Sequence, residues 1–388
     1  MIVMRLLSSL KHDESERGIY QLGHKLVKEG HTSIIIASAD SNDKLAKRLE
    51  KDGSIYYQLA MYKKSWWALL QTIPLRLLIE KHKPDIIHVH SRTPAWVLFW
   101  ALKGARLKKK PHIVSTMYGY YPANLYGRAL LVNADAIITV SDSVAEHLNQ
   151  MLSQTNLPQK PNIRIYRGVN TRRYPYRHNP SVFWLRKIFS EFPELEHKKW
   201  LVFPTIIGKQ YGQEWLIDIL GNLQNDFPNI HAIIMDDDKD NGDVEYNEFR
   251  QRAFALSLDN RITFIGKNRN DIREWLSAAN LVLALANEPE SIGLPILKAL
   301  HLGTPVVGWD KGAYSEILRT LYPQGLIKKN NSHAVCKTIK HQLETAYHPP
   351  MSNQFTLKQT ITETLKLYEI LENNEDVPSH FSELKPQY

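Results

Sequence analysis

The sequence predicts an α/β chain built as two parallel-sheet domains in series. Three observations predict it. Short apolar runs rich in Ile, Val and Leu alternate with longer stretches of helical period, the order of strand and crossover helix in a buried parallel sheet. Near the middle, residues 167–180 (RGVNTRRYPYRHNP) break the alternation with polar, turn-forming residues, as an interdomain linker does. After the break the alternation restarts, and 388 residues suit two domains of ordinary size. Each half reads as Rossmann-like.

Taken in order, residues 1–7 form the first strand. A helix from about Glu16 places Ile19, Leu22, Gly23, Leu26 and Val27 at the 3.6-residue period and stops at Gly30, a capping glycine. The run Ile34-Ile35-Ile36 lies in the second strand. Residues 40–53 read as a charged helix and residues 66–82 as an amphipathic one. Further strands are expected at 84–90, 111–116, 134–140 and 162–166, with Ser141 placed to cap a helix at 142–152. In the second half, strands are expected at 200–204, 230–235, 262–265, 281–285 and 305–308. Helices are expected at 213–223, 245–258 and 271–277. Residues 355–371 form a long last helix, followed by a polar tail, 372–388.

Composition narrows the function classes. Hydrophobic content of 43% with 23% charged residues marks a folded, soluble chain. The lone Cys336 rules out an internal disulfide framework and fits a reducing compartment. No stretch has the character of a signal peptide or the ~18 apolar residues of a membrane span. A cytoplasmic protein is expected, with a peripheral position on the inner membrane open to it. Residues 1–170 hold 24 Lys+Arg against 13 Asp+Glu, a net +11, and the rest of the chain is net −2. A basic first half suits an anionic surface. Lys63, Lys64, Trp66 and Trp67 join cations to aromatics, and Lys108, Lys109 and Lys110 form a second cluster. That combination suits a lipid headgroup region. No nucleic-acid-binding motif accompanies the charge.

Metal chemistry has little support. The acidic run Asp236-Asp237-Asp238, with Asp240 and Asp243, approaches a calcium loop, but Lys239 occupies a ligand place, so an acidic surface loop is the expectation. His88 and His90 alternate on one strand without a third ligand, and read as core histidines.

The chemistry concentrates at residues 287–318, NEPESIGLPILKALHLGTPVVGWDKGAYSEIL. Strand, acidic turn, Gly-Leu-Pro helix start, Gly-Thr-Pro break and second strand make a βαβ unit. Loops at the carboxyl ends of parallel strands are where such sheets bind ligands. The amides of Ile292, Gly293 and Leu294 open the helix, a place for an anion.

This stretch resembles the donor-sugar signature of the retaining GT-B glycosyltransferases of family 4, with Glu290 as the first of two signature glutamates and Gly293-Leu294 as the Gly-Leu between them. The likeness spans nearly the whole chain. It includes Glu16-Arg17, GHTSIIIA (30–37), PDIIHVHSRTPAW (84–96), DAIITVSDSVAEHL (135–148) and RGVNTRRY (167–174). The His-Ser-Arg then Pro-Ala-Trp order, which contains Arg92, is most similar to members that build lipopolysaccharide core and other envelope glycans. The resemblance implies the GT-B fold: an acceptor domain at 1–167, a nucleotide-sugar domain at 168–354, a cleft between them, and the helix 355–371 crossing back to the first domain. It implies transfer of a hexose from a nucleotide diphosphate sugar to a lipopolysaccharide or lipid-linked acceptor, with retention and without a metal or other cofactor. Arg92 and the Lys/Trp clusters would then lie on the acceptor or membrane side.

Five donor-handling positions depart from the family pattern. His12-Asp13-Glu14-Ser15 replaces the Gly-Gly loop, and Tyr118 stands at the histidine position. Ile206 stands at the Arg place and Tyr211 at the Lys place, in the loop that also carries Gly208 and Lys209. Lys298 replaces the second glutamate, and can only donate where a glutamate accepts. Two readings follow. In one the chain is an enzyme with Glu290 on the sugar and with Lys209 and Lys298 as substitute cations. In the other it is a catalytically degenerate GT-B protein acting as a binding or partner subunit. Donor, acceptor, linkage and oligomeric state are not readable from the sequence.

Overall fold

A computed structural model describes residues 1–8, 14–38, 43–61, 66–155, 157–236, 244–266, 269–328 and 331–381. Chain contacts divide it into two units, one of Met1–Arg167 with Leu357–Glu383 and one centred on Gly168–Thr356.

In the first unit the strands are β1 (Ile2–Leu6), β2 (Thr32–Ala37), β3 (Ile55–Gln58), β4 (Ile86–Val89), β5 (His112–Met117), β6 (Ala136–Thr139) and β7 (Asn162–Arg164). They pair in parallel in the order β3-β2-β1-β4-β5-β6-β7. In the second unit β8 (Lys199–Phe203), β9 (Ile230–Ile234), β10 (Ile262–Phe264), β11 (Leu281–Ala284), β12 (Val306–Trp309) and β13 (Leu326–Ile327) follow the order β10-β9-β8-β11-β12-β13. Both sheets are doubly wound. The order reverses between β1 and β4 in the first and between β8 and β11 in the second, and crevices for ligands open at such reversals.

The strands are almost wholly buried, which is why their sequences run apolar rather than alternating. Ile34, Ile35 and Ile36 are fully buried in β2. The helix Glu14–Lys28 ends as expected, with Gly30 at φ +81°. Ser141 caps the helix Asp142–Ser153 by accepting from the Val144 amide. The terminal helix, Leu357–Glu372, packs Leu365, Leu367, Tyr368 and Leu371 against Val3, Leu22, Leu26 and Val114 of the first unit.

Three readings change. Residues 66–82 are a 3-10 turn, Trp66–Gln71, followed by an α-helix, Thr72–His82. They are not amphipathic: Leu75 and Ile79 are buried, yet Leu70, Ile73 and Leu77 face solvent. Residues after Gly168 are packed rather than linker-like, because the Val169 amide donates to the Phe355 carbonyl, Tyr174 is buried, and the Arg177 amide donates to the Leu302 carbonyl. The polar tail is anchored as far as Phe381, since Val377 and Phe381 pack on the core and the Arg164 amide donates to the Ser379 carbonyl at 3.2 Å. The sequence reading also lacked β3, β13 and the helices Val182–Glu191 and Ser332–Thr345.

Buried histidines give the fold a pH signature. Burial holds His88 down at about 3 and His231 at about 4, and pushes His90 well below its ordinary value. Each stays neutral in the folded chain while its unfolded counterpart takes up a proton below about 6.5. The unfolded state then binds more protons, so stability is flat above about pH 6.5 and falls as pH drops from there toward 3. Each histidine adds a slope of up to about 1.4 kcal/mol per pH unit. Urea unfolding at pH 7, 6 and 5 is expected to show this decline, and a smaller one in His231→Gln.

Candidate active site

The second unit's switch point holds a pocket of about 440 Å³. The loop after β8 (Pro204, Ile206, Tyr211) and the loop after β11 (Leu285, Glu288, Glu290) wall it, with Tyr314 behind. Among the described residues no Lys, Arg or His lines it.

The two loops meet through one backbone constraint and one side chain. Gly212 has φ +76°, and a Cβ there would lie 2.0 Å from the Leu285 carbonyl oxygen. Only glycine allows this approach. Asn287 braces the crossing. Its Nδ2 donates to the Lys209 carbonyl (2.8 Å) and to the Glu214 carboxylate, and its Oδ1 accepts from Trp215 Nε1 (3.0 Å). Its amide donates to the Gln210 carbonyl and its own carbonyl accepts from Lys311 Nζ. Asn287→Ala removes the side-chain bonds and strands their partners, so a loss of about 2–3 kcal/mol is expected in denaturant unfolding.

Glu290 sits at the turn before the helix Leu294–Leu302. Burial raises its carboxyl above the usual range, opposed by a hydrogen bond from the Ser291 amide at 3.0 Å. Its backbone carbonyl accepts from the Ala313 amide at 2.7 Å, which ties the turn to the next βα loop. Tyr314, buried beside it, has its phenol pushed far up, first by burial and then by the Glu290 charge. Gly293 caps the helix at φ +73°, and a Cβ there would strike Ile317.

The loop after β8 differs from an open phosphate cradle. The Ile207 amide donates to Asp236 (2.9 Å), the Gly208 amide to Gln213 (3.3 Å) and the Lys209 amide to Glu245 (3.0 Å). Lys209 points its ammonium to solvent, 3.8 Å from Glu248. Lys298 is buried, and its ammonium lies 5.5 Å over the Tyr174 ring rather than among the residues lining the pocket.

In the first unit Tyr118 follows β5, and its hydroxyl shares a 2.7 Å hydrogen bond with His90 Nδ1. The expected acceptor-side residues within the described part of the chain differ in their surroundings. Arg92 is sandwiched 4.5 Å over both Tyr121 and Tyr126. Lys108, Lys109 and Lys110 are exposed, and Lys109 approaches Asp85 at 3.8 Å. Trp67 is exposed. Lys63, Lys64, His12, Asp13 and residues 237–243, the acidic run beyond Asp236, lie outside the described residues, as does the side chain of Trp66. No group of three or more potential metal ligands occurs among the described residues.

Comparison with known proteins decides the family. Residues 15–173 match the model of Glycosyltransferase Family 4, and residues 186–356 match that of Glycosyl transferases group 1. Its two domains belong to these glycosyltransferase families. Among curated relatives, N-acetyl-alpha-D-glucosaminyl L-malate synthase of Bacillus anthracis is 24% identical over 77% of this chain and 76% of its own length. The lipopolysaccharide core biosynthesis mannosyltransferase LpsB of Rhizobium meliloti is 26% identical over 59% of the chain and 60% of its own length. Among solved structures, a glycosyltransferase from Rickettsia africae superposes with a TM-score of 0.77 at 20% identity, covering 96% of this chain and 99% of that one. Anabaena HepE in complex with UDP and glucose superposes with a TM-score of 0.67 at 20% identity, covering 97% and 96%. Two parallel-sheet Rossmann-like domains of GT-B type are thus the fold of this glycosyltransferase.

Within that family frame, the structure places Ile206 and Tyr211 of the glycosyltransferase on the pocket wall, where the family pattern has Arg and Lys. Sequence reasoning missed Asn287 and Tyr314. Asn287 opens the stretch singled out from sequence, but its side-chain partners lie more than seventy residues away, and no local pattern announces them. Sequence reasoning named Trp67 but missed Leu70, Ile73 and Leu77, which continue the outward stripe and which an apolar count on every face of residues 66–82 would have flagged.

Proposed function

We propose that this glycosyltransferase moves a hexose from a nucleotide diphosphate sugar to a lipid-linked or lipopolysaccharide acceptor, with retention of configuration. The carrying observation is the pocket of about 440 Å³ at the second unit's switch point, with Glu290 in its wall and a helix N-terminus beside it. Similarity to the mannosyltransferase LpsB and to HepE, solved with UDP and glucose, supports the reaction class and the donor class. Glu290 accepts from sugar hydroxyls. The amides of Ile292, Gly293 and Leu294 face the diphosphate, since a helix start favours an anion. Lys209, on an exposed loop, supplies mobile positive charge, and no metal is required. The Tyr118 hydroxyl hydrogen-bonds a sugar hydroxyl.

Acceptor chemistry is read from the stripe on the first unit. Trp67, Leu70, Ile73 and Leu77 are 59–76% exposed along one helical face, and Trp100 on the neighbouring helix is 45% exposed. Lys103 lies over the Phe99 and Trp100 rings. An apolar stripe with a basic surround suits the peripheral binding of an anionic bilayer, where a lipid-linked acceptor resides. No helix of the described residues is long and apolar enough to cross a membrane. Leu70→Asp with Ile73→Asp is expected to weaken sedimentation with phosphatidylglycerol vesicles by about tenfold or more.

One observation favours a second reading, a binding subunit without transfer. The Ile207, Gly208 and Lys209 amides are already held by Asp236, Gln213 and Glu245, which leaves this loop acidic where a diphosphate approaches. Calorimetry with UDP, GDP and ADP, followed by transfer from the matching labelled sugar nucleotide to extracted lipid-linked glycan, separates the two. Saturable binding with transfer supports the enzyme. Binding without transfer supports the subunit. Absence of binding to every nucleotide removes the proposed donor.

A further inference from the structure

A separate set of buried groups in the first unit surrounds the Tyr118 hydroxyl. His90 follows β4 and Tyr118 follows β5, so two adjacent parallel strands deliver both to the sheet's carboxyl edge, next to the reversal between β1 and β4. The Tyr118 hydroxyl and His90 Nδ1 share a hydrogen bond of 2.7 Å, with the rings 22° from parallel. Behind His90 the His88 ring lies 4.0 Å away. His88 is pinned at both nitrogens, by the Thr116 hydroxyl at 2.7 Å and the Tyr368 hydroxyl of the terminal helix at 2.5 Å. Arg167 lies 5.3 Å over the Tyr118 ring. His90 Nε2 is buried, and makes no hydrogen bond to the described residues, beside a cavity of about 50 Å³ that both rings line.

A phenol O–H lies in its ring plane and can flip between two directions, and nothing in tyrosine itself chooses between them. Here one bond to an immobile ring aims it, and that ring is immobile because His88, Thr116 and Tyr368 lock the layer beneath. One buried and one half-buried imidazole and a hydroxyl from the last helix fix one oxygen at the ligand-facing edge. Ordinary core packing asks for apolar groups there, since each buried polar group must be satisfied.

We propose that His90 is a positioning residue. It fixes the Tyr118 hydroxyl as the hydrogen-bonding group for one hydroxyl of the bound substrate, and the His88 layer fixes His90. The proposal rests on the glycosyl-transfer reading above.

The test compares Tyr118→Phe, His90→Leu, His90→Gln and the double variant Tyr118→Phe/His90→Leu in the full chain. Tyr118→Phe and His90→Leu are each expected to lower kcat about tenfold, with nucleotide affinity by calorimetry unchanged. The double variant is expected to be no slower than Tyr118→Phe, because both changes remove one arrangement. His90→Gln, which keeps a hydrogen-bonding group, recovers part of the rate and covers the case in which His90→Leu fails to fold. A downfield hydroxyl proton, present in the wild type and lost in both Tyr118→Phe and His90→Leu, is the NMR signature. Full kcat in His90→Leu, or multiplicative losses in the double variant, would overturn the proposal while leaving the donor site intact. A wild-type chain that transfers no sugar would remove the transfer reading and the proposal with it.

Discussion

Replacing Glu290 by glutamine is expected to slow sugar transfer and to stabilise the free protein, two effects of opposite sign from one atom. A buried carboxylate that accepts from a sugar hydroxyl makes a charge-assisted bond worth about 1.5–3 kcal/mol, so kcat/KM should fall roughly 10- to 150-fold. The same carboxyl is raised above its ordinary value by burial. The unfolded chain ionises near 4.5, and the folded chain resists ionisation until higher pH. The wild type therefore loses stability as pH rises through that window, and glutamine does not. Thermal unfolding of the two proteins should coincide below about pH 4 and diverge above it, with Glu290→Gln the more stable at pH 7. A purely structural glutamate would show the activity loss without the gain in stability.

Gly212→Ala is expected to be among the most damaging single methyls in the second unit. The residue has φ +76°, and its added Cβ would stand 2.0 Å from the Leu285 carbonyl oxygen and 2.9 Å from the carbonyl carbon. Neither obstacle is a flexible side chain. The positive φ alone costs about 1 kcal/mol, and forced separation of packed backbone adds about 1–3 kcal/mol. A total of about 3 kcal/mol corresponds to roughly a 10 °C fall in melting temperature for a unit of this size. Because the contact joins the loops after β8 and β11, donor affinity should fall with stability. Gly30→Ala is the control: φ is +81°, but nothing lies within 4 Å of the added Cβ, so only the backbone cost of about 1 kcal/mol is expected.

The frame of this protein was legible because its strands are buried on both faces. A run such as Ile34-Ile35-Ile36 leaves little choice of environment, and Gly30 and Ser141 announce helix ends by local chemistry alone. The short edge strand Ile55–Gln58 was not legible, since its residues are half-exposed and its pairing is set by β2. The helix Ser332–Thr345 carried a readable signal in Asn331, whose side chain accepts from the Ala334 amide, but the stretch lacks a long apolar face. At the candidate site the resemblance to the family's donor-sugar signature picks out Glu290 and Gly293. The carboxylates that occupy the loop amides could not be read, because Asp236 follows β9 and Glu245 opens the next helix, 29 and 36 residues along the chain from the amides they accept from. Lys298 shows the same limit. Its position on the signature helix suggests a pocket cation, whereas its ammonium lies 5.5 Å over the ring of Tyr174, more than a hundred residues away.

The central claim is that the switch point between β8 and β11 seats a nucleotide sugar. Hydrogen exchange of the full chain, with and without saturating UDP-, GDP- and ADP-hexoses, tests it directly. One of these donors should slow exchange in residues 204–212 and 285–295 and leave β3 and its flanking loops unchanged. Unaltered exchange in both segments with every donor, or protection confined to the first unit, would contradict it.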